Sequence, residues 1–329
     1  MKVLVVTNMY PSPEKPAAGT FVKEQVESLR REGIDIDVFL VDGSEHKLNY
    51  LWGIFRLWGK LLQRRYDLIH AHYVFSGIVA RAQLLRPVIV THHGLEVFTT
   101  WQRFPSRLLT PFVDRAILVS KEQQQKLKCT NTEIIPCGID MDFFKPIPRE
   151  EARKQLGLPL DKKLVVFVGN HQRPEKRFDI IEEAITKAQK EDPSIELLLV
   201  SGKPHDVVPQ YMSAGDVLVL VSNAEGSPMA VKEAMACNVP VVSVPVGDVP
   251  DVIGDTEGCY LCAQDSTDVA EKLIMALKHS NRTTGREKIA HLGEDAVARR
   301  IIALYQEVLQ ENKSTIWKTL VPRCMKRGI

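Results

Sequence analysis

Eleven short runs rich in valine, isoleucine and leucine, separated by turns and amphipathic stretches, constrain this chain more than any other feature. They lie at 3–6, 34–40, 68–70, 88–91, 117–119 and 133–135, and then at 164–169, 195–201, 217–221, 241–244 and 259–261. Such alternation predicts α/β structure with parallel sheets. The rhythm breaks at Lys145-Pro146-Ile147-Pro148-Arg149 and restarts, so two doubly wound, Rossmann-like domains are expected to meet near residue 147. Their expected bounds are 1–147 and 148–310, with a closing segment 311–329 that packs back on the first domain or lies at a membrane. A length of 329 residues agrees, since a domain averages roughly 150. In open parallel sheets ligands bind beyond the carboxyl ends of the strands, so the expected site is the cleft between the two domains.

Composition removes several classes. A hydrophobic share of 44% with 26% charged residues fits a globular protein and excludes disordered and fibrous chains. Lys and Arg number 43 against 41 Asp and Glu, and the net charge of +2 supplies no overall field to attract nucleic acid. The longest apolar runs, such as 217–221, fall far below the roughly 20 residues that span a bilayer. The opening 1–8 has too short an apolar core for a secretory signal, so a cytoplasmic location is expected. Cysteines at 129, 137, 237, 259, 262 and 324 form no disulfide framework, and Cys259-x-x-Cys262 lacks a second pair at a zinc spacing. They are read as buried or idle thiols.

The chemistry concentrates after the run 217–221. There the chain reads Asn223-Ala224-Glu225-Gly226-Ser227-Pro228-Met229-Ala230-Val231-Lys232-Glu233. Ser227 suits an N-cap and Pro228 a first helical position, which predicts a helix leaving the strand end. Its first amides, at Met229, Ala230 and Val231, then lack acceptors and favour an anion. Glu225 precedes the helix, and Glu233 lies inside it on the face of Met229 and Ala230. Two carboxylates around free amides suit a ligand with phosphate in the middle and sugar hydroxyls at both ends. A helix with ordinary solvated acids has the same local pattern.

The stretch from Glu225 to Glu233, continuing Ala234-Met235-Ala236 and then Pro240-Val241-Val242, resembles the E-x7-E signature of retaining family-4 glycosyltransferases of the GT-B fold. Pro136-Cys137-Gly138-Ile139-Asp140 with Phe144 and Pro146 is similar to that family's P-N-G-V-D…F-x-P passage, Cys137 standing for the usual Asn. Gly247, Pro250, Asp251 and Gly258 resemble its G-G-x-P-E…G stretch, with Asp248 at the second Gly. Tyr10-Pro11 and Gly19-Thr20-Phe21 resemble its first phosphate-facing loop, and His93-Gly94 its strand-end H-G. The resemblance implies a metal-independent enzyme without a resident cofactor, taking a nucleotide-diphosphate sugar with UDP or GDP as the base carrier. It also implies that Glu233 binds the ribose hydroxyls, Glu225 the donor-sugar hydroxyls, and His93 the transferred sugar.

The loop Gly169-Asn170-His171-Gln172-Arg173-Pro174-Glu175-Lys176-Arg177 follows the first run of the second half. A Lys and an Arg there can neutralise a departing diphosphate. Lys176 matches the family's lysine, whereas Asn170 occupies its arginine position and Arg173 either supplies that charge or is solvated. The connection at 202–207 is too short for the strand and helix that many relatives place there, where the base is held. His70 and His72 also end a run. An oxidoreductase would require G-x-G-x-x-G, absent after both opening runs. A non-catalytic GT-B protein that holds a nucleotide sugar or partners an active subunit is the other alternative.

One further segment, 49–65, carries an apolar stripe at Leu51, Ile54, Phe55, Trp58, Leu61 and Leu62, with Arg56, Lys60 and Arg64 opposite and no acid between them. Either the stripe packs on the first sheet or it meets an anionic bilayer. The second case points to a lipid-linked glycan acceptor, as in bacterial surface-polysaccharide assembly, and the tail 317–327 adds another basic, partly apolar stretch.

Overall fold

The first unit is built on six parallel strands in the order β2-β1-β3-β4-β5-β6, namely β1 Lys2–Thr7, β2 Asp35–Leu40, β3 Leu68–His72, β4 Val88–His92, β5 Arg115–Leu118 and β6 Thr132–Ile134. The second has five parallel strands in the order β11-β10-β9-β7-β8: β7 Lys163–Val168, β8 Ile195–Val200, β9 Val217–Leu220, β10 Val241–Ser243 and β11 Tyr260–Leu261. All eleven expected runs are strands. The computed structural model describes residues 1–320 except 14, 16, 17, 44, 45, 280 and 281, with the side chains of 95, 100 and 313–320 also excepted. The tail 317–327 therefore lies outside the residues whose side chains are described. Among the described residues no helix is long and apolar enough to cross a membrane.

Helices cover both faces of each sheet, which is why the strands read as continuous rather than alternating apolar runs. Val3 and Val5 pack with the helix Thr20–Arg31 and the long last helix Glu294–Leu320. Leu4 and Val6 pack on the other face with residues of the helices Leu48–Gln63, Val74–Arg81 and Thr100–Leu109. In the second unit, the helices Phe178–Glu191 and Ser266–His279 bury one face. The helices Val208–Ala214, Met229–Ala236 and Val249–Ile253 bury the other.

The division of the chain differs from a single boundary near 147. One unit comprises Met1–Leu118, Leu127–Ile135 and Val297–Ile329; the other comprises Val119–Lys126 and Pro136–Ala296. The second begins at Pro136 because Ile139 and Phe144, within the stretch assigned to the first half, are buried in its core. The return to the first unit begins at Val297 rather than 311, because Ile301, Leu304 and Tyr305 complete the apolar layer over β1 and β3.

The helix Leu48–Gln63 corrects the stripe expected at 49–65. Leu57, off that stripe, is fully buried, while Leu51, Phe55 and Leu62 on it are exposed. Ile54 and Leu61 do pack on the core. The sheet thus claims the side carrying Gly53 and Leu57, and a second, aromatic side remains uncovered. Complete burial makes Leu57→Ala a cavity-forming change costing about 2–5 kcal/mol. Phe55→Ala at an exposed position should change stability by about 0.5 kcal/mol or less. Urea unfolding of the two variants checks this assignment, and equal losses would contradict it.

Candidate active site

Each sheet has a switch point where the strand order reverses, between β1 and β3 in the first unit and between β7 and β9 in the second. Loops leaving such strands flank the crevice in which open α/β sheets bind ligands. In the second unit these are the loops after Val168 and Leu220, which contain the expected phosphate residues and Glu225.

The first of these loops turns at once, with Gly169 at φ 137°. The Asn170 carboxamide oxygen accepts the Gln172 amide at 3.0 Å, so this side chain braces the turn from an exposed position. Arg173 is also exposed and its Nε donates to Glu175 at 2.7 Å. Lys176 instead reaches Glu225, Nζ to Oε1 at 2.6 Å, with only 16% and 17% of the two side chains exposed. The Asn223 amide donates to the Glu175 carbonyl at 2.8 Å and joins the two loops through their backbones. The ammonium and carboxylate expected to serve a sugar diphosphate are thus adjacent.

Ser227 and Pro228 play different parts from those expected. The helix is Met229–Ala236, Pro228 occupies its N-cap with ψ 115°, and no side chain caps it. The Ser227 hydroxyl donates to Asp248 Oδ2 at 2.6 Å and accepts from Lys232 Nζ and from the Cys137 amide. Contact with two charged groups is stronger than a neutral cap. The Val231 amide is taken by the Pro228 carbonyl at 3.2 Å, which leaves Met229 and Ala230 as the first-turn amides without an acceptor in the helix. Glu233 is buried one turn further on, and helical side chains lean toward the N-terminus where those amides lie.

Sequence reading missed Lys232 and Asp248. Lys232 is fully buried, 3.0 Å from Asp248 and 2.7 Å from the Cys137 carbonyl. A helical lysine reads as solvated, and only the departure Gly-Asp at 247–248 hinted at its partner. Gly247, at φ 59°, is required where it stands: a Cβ there would come within 2.4 Å of the Gly226 oxygen and 2.8 Å of the Glu225 oxygen.

In the first unit, Gly19 sits at φ 70° before the helix Thr20–Arg31, and a Cβ on it would lie 2.6 Å from the Met9 oxygen. The next residues bring Phe21 onto His93, ring centroids 4.8 Å apart, so two motifs distant in sequence converge. His93 Nε2 lies 2.8 Å from His72 Nδ1, His72 stacks on His70, and His70 contacts Tyr305 Oη at 2.5 Å and Thr91 Oγ1 at 2.7 Å. The His93 and Gly94 amides donate to the Glu96 carboxylate at 2.6 and 3.1 Å. His93 Nδ1 is buried and has no partner among the described residues. Glu96 and Tyr305 were also missed; Glu96, two residues past the glycine, was the more visible.

Burial pushes His70 and His93 well below the usual imidazole range, His72 to about 3 and His92 to about 4, and pushes Glu96 up to about 7. These imidazoles are neutral at pH 7, fit for hydrogen bonding to hydroxyls and unfit as general acids. Among the described residues no group of three or more His, Cys, Asp or Glu is arranged to hold a metal ion. Among the described residues no disulfide joins the cysteines, and burial raises the thiols of Cys259 and Cys262 to about 11 and 12.

Known families match both halves: Glycosyltransferase Family 4 over residues 2–143 and Glycosyl transferases group 1 over residues 202–279. With its two parallel-sheet units the chain has the fold of GT-B glycosyltransferases, and its similarity to both family models supports a glycosyltransferase of the family-4 type. It is 27% identical to TuaC of Bacillus subtilis (strain 168), a protein named for teichuronic acid biosynthesis, over 83% of this chain and 88% of that one. It is 26% identical to the D-inositol 3-phosphate glycosyltransferase of Mycolicibacterium smegmatis over 73% of this chain and 66% of that one. The fold is shared with sucrose-phosphate synthase from Thermosynechococcus elongatus, at TM-score 0.79 and 21% identity over 94% and 99% of the two chains. It is also shared with Anabaena Alr3699/HepE in complex with UDP-glucose, at TM-score 0.67 and 17% identity over 95% and 100%.

Two stability tests follow from the buried charges. Lys232→Met leaves Asp248 buried without its cation and should cost about 3–5 kcal/mol, whereas replacing both by apolar residues should recover much of that loss. Additive losses in urea unfolding would contradict the pairing. For pH, His72 and His92 have folded values below the unfolded 6.5, so their contribution is complete above pH 6.5 and is lost as pH falls toward 4 and 3. Each accounts for up to about 1.4 kcal/mol per pH unit. Glu96, raised from 4.5 to about 7, acts oppositely between those values and only partly offsets them. The thermal midpoint of the first unit should therefore fall below pH 6.5, and more steeply below 4.5; His72→Gln should flatten the slope.

Proposed function

We propose that the chain transfers a sugar, with retention of anomeric configuration and without a metal ion, from a UDP- or GDP-sugar to a hydroxyl of a lipid-linked glycan. The pairing of Lys176 with Glu225, in the loop leading to the helix that carries the Met229 and Ala230 amides and the buried Glu233, carries this reading. The UDP and UDP-glucose in the HepE structures support a nucleotide-sugar donor, and the name of TuaC supports surface-polysaccharide assembly. The acceptor is met at the cytoplasmic face of the plasma membrane.

In this reading Glu233 holds the ribose hydroxyls and Glu225 the hydroxyls of the donor sugar. Lys176 and the first-turn amides receive the diphosphate, with Arg173 three residues before Lys176 and held by Glu175. The bond from the anomeric carbon to the phosphate oxygen breaks while the acceptor oxygen bonds to the same face of that carbon, and the acceptor proton passes to the departing phosphate. Stabilising the charge that develops on the leaving group is then the chief catalytic contribution. Neutral His93 hydrogen-bonds the transferred sugar.

Glu233→Ala should weaken UDP or GDP binding by about tenfold or more, since charge-assisted hydrogen bonds contribute about 1.5–3 kcal/mol. Lys176→Ala should lower kcat by about a hundredfold with a smaller change in affinity. Titration calorimetry and donor-hydrolysis rates measure the two effects, and unchanged behaviour in both variants would refute the site. UDP-, GDP- and ADP-sugars are compared first by thermal stabilisation. Silence with all of them would favour a non-catalytic GT-B protein.

A further inference from the structure

The uncovered aromatic side of Leu48–Gln63 does not stand alone. That helix, Val74–Arg81 and Thr100–Leu109 all pack on one face of the first sheet, and their rings connect: Tyr50 lies 5.3 Å from Phe75, and Phe75 lies 6.1 Å from Trp101. On the outside of this layer Trp52, Phe55 and Leu62 are 66%, 62% and 80% exposed. Trp101, Phe104 and Phe112 are 65%, 72% and 63% exposed. The face also dips into an apolar groove of about 460 Å³ lined by Ile78, Ala82, Pro105, Leu108 and Phe112, with Arg81 among them. Scattered exposed hydrophobics need no explanation, but so many large ones on adjoining helices mark an interaction site.

Charge identifies the occupant. Segments 47–66, 74–88 and 97–113 hold five, two and two Lys or Arg residues and not one Asp or Glu. A chain with a net charge of only +2 thus keeps these three segments free of acids. Apart from Arg64, which pairs with Asp37 at 3.2 Å, these bases have no acid on their own segments, and aromatic side chains among such bases match the boundary of an anionic bilayer, where rings enter the headgroup region and bases meet lipid phosphates. We infer that these three helices together form a docking face for anionic phospholipid membrane, with the groove beside Pro105 admitting a lipid chain. The inference does not depend on the transferase reading, because it concerns the resting protein without any sugar nucleotide.

The test is vesicle flotation of the full chain with phosphatidylcholine alone and with about 30% phosphatidylglycerol added. Binding is expected to the anionic vesicles only, and to weaken as salt is raised from about 0.1 M to 0.5 M, where surface charges are screened over a few ångströms. Trp52→Ser/Phe55→Ser and, separately, Trp101→Ser/Phe104→Ser should each reduce binding at least about tenfold while leaving the thermal midpoint unchanged. Failure of the wild type to float with anionic vesicles would overturn the proposal, as would its assembly through this face into a dimer that ignores vesicles. Full binding by Trp101→Ser/Phe104→Ser would overturn the three-helix face.

Discussion

The ammonium of Lys232 is the charge on which the second unit's site depends. It is wholly buried, and its partners come from three separate stretches: the Cys137 carbonyl, the Ser227 hydroxyl and the Asp248 carboxylate. Removing an ammonium and a carboxylate from water costs several kcal/mol per ion, and only close geometry with further hydrogen bonds offsets it. That requirement fixes the loop after β9 against the loop after β10. Gly247 lets the second pass directly under the Glu225 and Gly226 carbonyls. The position of Glu225 is therefore set through Ser227, two residues beyond it, because the serine that would have capped the helix is bonded to both members of the buried Lys232–Asp248 pair instead.

The first unit arranges its crevice by the opposite electrostatic means. Its strand ends carry a stack of imidazoles from which burial removes the charge, connected to the last helix through Tyr305. Glu96 accepts two amides, yet burial still raises its carboxyl to about 7. One unit thus offers neutral hydrogen-bonding groups and the other paired charges.

How far the sequence reveals this follows from what each residue's neighbours add. Strands were readable because complete burial forces runs such as Val3 to Val6 to be apolar throughout. The unit boundary was not, because Ile139 looks like any apolar residue before a proline-containing linker, and its place in the second core depends on packing with Leu292 and Ile253. Glu225, Lys176 and His93 are proposed from type, position and resemblance. Lys232 was missed because its burial is a tertiary property, and Leu57 because a helix with apolar residues on two sides does not declare which one the sheet will cover.

The Lys176–Glu225 pair has a consequence for the proposed chemistry. The two groups satisfy each other at 2.6 Å while both are mostly withdrawn from solvent. A diphosphate presents more negative charge than one carboxylate and competes for the same ammonium. As Lys176 turns toward it, Glu225 loses its cation and gains acceptor capacity for the hydroxyls of the sugar that the diphosphate carries. Binding of the charged end of the donor and binding of its sugar end are then coupled through one ion pair, and a bare sugar without the diphosphate has nothing with which to release Glu225. The same exchange places the ammonium where negative charge grows as the glycosidic bond breaks, so the group that recognises the donor is also the one that stabilises its departure.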